Sequence, residues 1–306
     1  MWFLKSLGLI TLVSYSSLCL GNEVISNAFN SVNDPYKHLH VLASEEAAGR
    51  KPQSAGHAFA QKYIYDQFLL NNNLVASKQY FDYEKGFKTK KGVNVITTKY
   101  GKSDKTIVIT AHYDHLGTKS GKIYYGADDN ASGVSVLITV SNWLNTIDTH
   151  YSYVLVATDA EEQGLHGAHH YLKQNVHKRL VLNINLDMLG YGVRRRNLIW
   201  YSKNKDTFQN LITNKVNKQV TIPLVFKSKV VDSSISSVKS RISLSRASDH
   251  YEFFKQGIPF ILITGENHRF YHTNKDTVDN IDENFIANAY LTVKNMISVI
   301  DSENKL

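Results

Sequence analysis

From residue 106 onward the chain alternates short apolar runs rich in β-branched residues with segments of helical spacing. Thr106 to Ala111 precedes Ala131 to Leu144, and Tyr153 to Thr158 precedes Leu165 to Gln174. Leu180 to Leu186 follows, and Pro259 to Thr264 precedes Asp282 to Ile300. Runs such as Ile107-Val108-Ile109 and Val154-Leu155-Val156 have no polar face, which is what a strand covered by helices on both sides requires. Upstream, Pro35 to Ser44 and Ser54 to Leu70 have helical periodicity, while Lys78 to Tyr83 and Val93 to Tyr100 read as strands. The alternation predicts an α/β fold with a mostly parallel central sheet flanked by helices on both faces. No repeat, low-complexity tract or Pro/Gly/Ser linker divides the sequence, so a single globular domain over residues 22–306 is expected.

Residues 1–21 have a different pattern. One charge, Lys5, precedes the apolar run Leu7 to Val13 and a small or weakly polar stretch ending at Cys19 to Gly21. This is the layout of a secretory signal peptide, so a secreted or periplasmic location is expected. Leu18, just before Cys19, is too large for a lipoprotein cleavage site and argues against a lipid anchor. No later stretch reaches the length of a membrane span, so the mature chain is expected to have none. Cys19 is the only cysteine, and without it a disulfide, a thiolate nucleophile and a Cys-ligated zinc are all excluded. Any metal must then be held by His, Asp and Glu.

The formal charge is +8, of which Lys5 supplies one unit. The one dense basic run, Arg194-Arg195-Arg196, falls in an expected loop after Gly190 and Gly192 and lacks interleaved aromatic residues. No nucleic-acid partner is therefore expected. The oligomeric state is not set by any of these features.

The polar residues that carry chemistry collect where the apolar runs end. Thr106 to Ala111 ends in His112-Tyr113-Asp114-His115, Tyr153 to Thr158 in Asp159-Ala160-Glu161-Glu162, and Leu180 to Leu186 in Asp187. Pro259 to Thr264 leads through Gly265 to Tyr271-His272, and Gly126 to Gly133 enters a helix with Asp128-Asp129. Ligands of open α/β sheets bind beyond the carboxyl ends of the strands. Several carboxylates gathered there would repel one another unless cations supplied the missing charge. Nitrogen and oxygen donors without thiolate suit zinc, and also cobalt or manganese. Two His and three carboxylates suffice for two ions if one carboxylate bridges, and water held between the ions then ionises near neutral pH.

These residues resemble the co-catalytic zinc aminopeptidases of peptidase family M28. The resemblance rests on Ala111-His112-Tyr113-Asp114-His115-Leu116-Gly117, Gly126 to Gly133, Asp159 to Gly164 and Asn185-Leu186-Asp187-Met188-Leu189-Gly190. It extends to Ser248-Asp249-His250, Tyr271-His272-Thr273 with Asp276-Thr277, and Leu42 to Arg50 near the start. It implies the zinc-exopeptidase, phosphorylase/hydrolase-like fold and cleavage of peptides with a free N-terminus by a chain holding two zinc ions.

Carried over, it makes Asp129 the bridging ligand, because Ser132-Gly133 fixes its register against Asp128. Glu162 and His272 would complete one zinc site, His112 and Asp187 the other. Glu161 would be the general base, diverging from Glu162 along an extended segment. Asp114 would accept a hydrogen bond from the far ring nitrogen of His112, and Tyr271 would donate to the oxyanion. Asp249 and His250 match a family motif without an assigned step. Asp128, His115, His166, His169 and His170 are read as structural or solvent-exposed. Two other readings stand beside this one: a glutaminyl cyclase, whose family resembles this one but uses one zinc, and a catalytically silent surface or binding protein of the same fold.

Overall fold

The computed structural model describes residues 34–175, 179–192, 197–231 and 241–306. The segment 1–21, expected to be a signal peptide, and the run Arg194 to Arg196 lie outside these described residues. Pro35–Leu306 form one unit.

Two helices open it, α1 (Pro35–Leu42) and α2 (Ala55–Leu69), followed by β1 (Val75–Lys85), β2 (Lys88–Lys99) and β3 (Lys105–His112). A short hairpin, β4 (Gly117–Lys119) and β5 (Lys122–Tyr124), leads to α3 (Gly133–Leu144), β6 (Ser152–Thr158), α4 (His166–Gln174) and β7 (Arg179–Asp187). Next come β8 (Leu198–Tyr201), α5 (Lys205–Leu211) and β9 (Leu224–Phe226). The small pair β10 (Lys229–Val231) and β11 (Arg241–Ser243), α6 (His250–Lys255), β12 (Phe260–Thr264) and α7 (Glu283–Glu303) complete the unit.

Eight strands form one mixed sheet in the order β1-β2-β6-β3-β7-β12-β8-β9. The parallel strands β6, β3, β7 and β12 occupy its centre, while β1 and β2 pair antiparallel with their neighbours and β8 pairs antiparallel with β12 and parallel with β9. The sheet is thus mixed, with the expected parallel arrangement where the all-apolar runs lie. The antiparallel strands have a different pattern: β1 alternates buried and exposed positions along its second half, as a strand with one wet face does.

Alternation along the central strands sends side chains to two separate cores. Ile107, Ile109, Tyr153 and Leu155 face the larger one, with residues of α1, α2, α3 and α7. Val108, Val154 and Val156 face the other, with Ala168, Tyr171 and Leu172 of α4 and Phe253 of α6. Helices therefore cover both faces. Two of them start where the segments of helical spacing begin: Ser54 caps α2 by accepting from the His57 N–H, and Asp282 caps α7 by accepting from the Phe285 N–H, each satisfying an amide that the helix leaves free.

The strand β8 escaped the sequence reading because Leu-Ile-Trp-Tyr is only four residues long. A run that short does not distinguish strand from helix, and its pairing with β12 is what makes it a strand.

Replacing Leu155, which is fully buried between sheet and helices, by Ala is expected to cost about 2–5 kcal/mol of stability. Urea unfolding of the full chain measures this, and an unchanged midpoint would contradict the assigned packing.

Candidate metal centre

The parallel strands end side by side, and each delivers chemistry to the same edge. His112 is the last residue of β3, Asp187 the last of β7, and Glu161 and Glu162 follow β6 by three and four residues. Asp129 comes from the irregular turn Ala127–Ser132 that enters α3, where the Asp129–Asn130 peptide is cis. His272 and Tyr271 lie on the loop after β12.

The structure brings all five expected ligands together, in two groups that share Asp129. His112 Nε2 is 3.3 Å from Asp129 Oδ1 and 3.6 Å from Asp187 Oδ1. On the other side, His272 Nε2 is 3.0 Å from Asp129 Oδ2 and 3.3 Å from Glu162 Oε1. Asp129 thus turns one carboxylate oxygen to each group. His272 is the most open of the five, with 38% of its side chain exposed. A cleft of about 580 Å3, its mouth included, is lined by these ligands, by Glu161 and Tyr271, and by an apolar wall containing Val230, Leu244 and Leu262.

Residues outside the ligand set hold the loops. The Asp276 carboxylate accepts the N–H groups of Asp128 and Asp129 at 2.9 and 3.1 Å, which fixes the turn that aims Asp129. Asp128 points away, accepting from the Gly190 N–H at 2.6 Å and lying 3.0 Å from His268 Nε2, so its structural reading holds. The Arg50 guanidinium is fully buried and donates to the carbonyls of Leu42, Tyr113, Tyr125 and Gly126, tying the loop after β3 to the loop before Asp129.

Asp114 departs from the role expected of it. Its carboxylate accepts the N–H groups of Glu161 and Glu162 at 2.9 and 3.3 Å and stands 3.8 Å from His112 Nδ1. The group within hydrogen-bonding distance of His112 Nδ1 is instead the Asp114 backbone carbonyl, at 3.2 Å. A proton on Nδ1 leaves the Nε2 lone pair free toward Asp129 and Asp187.

Glu161 and Glu162 also sit in a turn, with Ala160 at φ 56°, and not on the extended segment expected of them. Their side chains still diverge: Glu162 toward His115 and His272, Glu161 into the cleft. His166 and His170 stack on Tyr83 and Phe81 away from the ligands, and His169 lies 3.3 Å from Glu252. Asp249 bonds the Thr158 hydroxyl, and His250 bonds the Leu244 carbonyl.

His115 is the residue that sequence reasoning passed over. It is fully buried, and its Nδ1 lies 2.9 Å from Glu162 Oε1 and 3.7 Å from Asp129 Oδ2. Its spacing of three residues from His112 at the end of a central strand was the available signal.

The charges are those of a site built around cations. Burial raises the Glu161 carboxyl well above its ordinary range, with Asp249, Asp187 and Glu162 adding to it against His112. Burial alone would lower His112, but Glu161, Asp129 and Asp187 together lift it well above the ordinary imidazole value. His272 is lifted to about 10 by Asp129 and Glu162 against burial. Glu162, which burial would raise, is drawn down to about 2 by His115 and His272. The carboxylates pull positive charge onto the imidazoles, a demand that divalent cations meet without protons. Among the described residues, Asp129 Oδ2, Asp187 Oδ1 and His115 Nε2 are buried without a hydrogen bond. A donor set of His and carboxylate, a carboxylate shared between two groups and unsatisfied buried oxygens all fit a pair of metal ions.

The model of the family described as peptidase family M28 matches residues 94–297 of the chain. Aminopeptidase YwaD of Bacillus subtilis (strain 168) is 27% identical over 217 residues, 67% of this chain and 44% of that protein. A probable leucine aminopeptidase of Arthroderma otae is 27% identical over 201 residues, 60% of this chain and 50% of that protein. The chain thus spans about half the length of the curated relatives it matches. Among solved structures, the LapA aminopeptidase of Legionella pneumophila aligns with TM-score 0.69 at 17% identity, covering 99% of this chain and 80% of that one. The glutaminyl cyclase of an Acidobacteriales bacterium aligns with TM-score 0.67 at 21% identity, covering 88% of this chain and 94% of that one. At these identities the likeness is one of fold.

A divalent cation that binds the folded chain alone raises its stability with concentration, by about 2.7 kcal/mol at a hundred times the dissociation constant. Zinc or cobalt added to chelator-treated protein is accordingly expected to raise the melting temperature, and Asp129→Ala to abolish most of that rise. A rise that survives Asp129→Ala would show that the ions bind elsewhere.

Proposed function

The chain belongs to peptidase family M28, and from that membership we propose that it is a zinc-dependent aminopeptidase that hydrolyses the N-terminal peptide bond of peptides. The observation that carries the reading is the shared Asp129, with one oxygen toward His112 and Asp187, the other toward Glu162 and His272, beside Glu161 in one cleft. The names of the aminopeptidase relatives support the exopeptidase part. The N-terminal segment with Lys5 and Leu7 to Val13 supports export, to the medium or the periplasm, since it has the layout of a signal peptide.

His112, Asp187 and Asp129 would hold one zinc ion, and Asp129, Glu162 and His272 the other. When bound, the pair supplies Lewis acidity that lowers the pKa of water and polarises a carbonyl. The chain's own residues do the rest. Glu161, in the cleft and made more basic than an ordinary carboxylate by burial, takes a proton as the carboxylate from the attacking water and delivers it to the leaving amine. Asp114 fixes the backbone of Glu161 and Glu162 together, so base and ligand keep their separation. The Tyr271 ring stacks on His272 with centroids 3.9 Å apart. Burial, reinforced by Asp129, Asp187, Glu162 and Glu161, raises its phenol far above the ordinary value, so the hydroxyl keeps the proton it would donate to the oxyanion.

Purified full-length protein is expected to release p-nitroaniline from aminoacyl-p-nitroanilides and to lose this on chelation. An absence of chelator-sensitive release would remove the enzymatic reading in favour of a binding protein of this fold. Metal analysis near two zinc ions per chain separates the peptidase from the one-zinc cyclase.

Glu161→Ala is expected to retain both ions and lose about 10²- to 10⁴-fold in kcat. Unchanged turnover would show that another group moves the proton.

A further inference from the structure

The two donor groups that share Asp129 are unequal, because His115 belongs to one of them. Its Nδ1 stands 2.9 Å from Glu162 Oε1 and 3.7 Å from Asp129 Oδ2, beside the His272 Nε2 separations of 3.0 and 3.3 Å from Asp129 and Glu162. A tetrahedral zinc ion with bonds of about 2.0–2.2 Å has donor-to-donor edges of about 3.3–3.6 Å, and these four separations bracket that range. The group of His112, Asp129 and Asp187 offers three donors.

The imidazole is delivered by a built support. The His115 N–H donates to the Arg50 carbonyl at 3.2 Å, and the Arg50 guanidinium holds the carbonyls of Tyr113 and Gly126 on either side. The ring lies against Gly126, at φ 58°, where an added Cβ would stand 2.5 Å from a ring carbon. No larger residue fits there. His115 Nε2 is buried and has no hydrogen bond among the described residues. The placement of Nδ1 toward the donor group thus comes from the backbone and from packing against Gly126, whereas His112 Nδ1 faces the Asp114 carbonyl.

We infer that His115 is a fourth protein ligand for the cation held by Asp129, Glu162 and His272. That position then has four protein donors, two nitrogens and two oxygens, and the His112, Asp129 and Asp187 position has three, which leaves it the more open of the two. The inference rests on the two-metal reading above. Closed four-ligand zinc sites are the structural kind, and three-ligand sites admit water or substrate. The two ions should accordingly differ in affinity, and the exchangeable one should be that of His112 and Asp187.

The test is competitive zinc titration of full-length wild type, His115→Ala, His115→Gln and His112→Ala against a chromogenic chelator, with visible spectra of the cobalt-loaded proteins. Gln keeps an N–H able to reach Glu162 but is a poor zinc ligand, and metal-free melting curves check that each variant is folded. The expected result is two unequal binding steps in wild type. Both His115 variants should weaken the tighter step by more than about 100-fold, beyond the 10- to 100-fold usual for outer-shell partners, and lose the strong tetrahedral cobalt bands. His112→Ala should instead remove the weaker step. Wild-type affinity and spectrum in His115→Gln would overturn the inference, leaving His115 a hydrogen-bond donor to Glu162. A wild type that holds a single zinc ion, weakened by His115→Ala, would remove the two-metal reading while keeping His115 as a ligand.

Discussion

The site depends on one carboxylate pointing two ways. Asp129 can turn its oxygens toward two groups only if its backbone is held against the repulsion of the acidic residues around it. That restraint comes from Asp276, which grips the amides of Asp128 and Asp129, and from Arg50, which grips the carbonyl of Gly126 just ahead of them. Burial lowers the Arg50 guanidinium to about 10, yet Asp129, Asp276, Asp114 and Glu162 keep it charged. Asp276 itself is pushed up to about 7 by burial and by Asp128. A buried cation with only carbonyl acceptors and a buried acid bonded to amides stiffen the turn without consuming the ligand oxygens.

The sheet serves this arrangement by bringing strand ends together. β3 lies between β6 and β7, and β7 lies beside β12, so the residues that follow these four strands emerge at one edge. Side chains on both faces of the central strands are buried, which fixes register strongly, since a slip of one residue would exchange the two cores. A ligand set assembled from four strand ends and one helix entrance is thereby placed by the packing of the core, not by loops alone.

A second layer of order lies in the backbone. Asp114 binds the amides of the two glutamates that follow β6 and so couples the end of β3 to the end of β6. Asp159, the residue just after β6, accepts from the Val93 N–H and lies 2.8 Å from His57 Nε2. These acidic residues are not among the five expected ligands, and their shared task is to set the direction of chain segments that carry the ligands.

The apolar runs of the central strands, the helical segments beginning at Ser54 and Asp282 and the polar residues after each strand were legible in the sequence, because burial on two faces and helical spacing act over a few neighbouring residues. The ligands were legible as types at strand ends, and their assignment came through likeness to a known family. What only the tertiary structure decided is direction. Asp114 turned to amides 47 and 48 residues away, Glu161 and Glu162 diverged in a turn entered at positive φ, and His115 faced Glu162 where a surface or structural role was expected. The four-residue β8 likewise became a strand only by pairing with β12. In each case the outcome depends on partners distant along the chain, and sequence spacing holds no information about which of them packing will bring within reach.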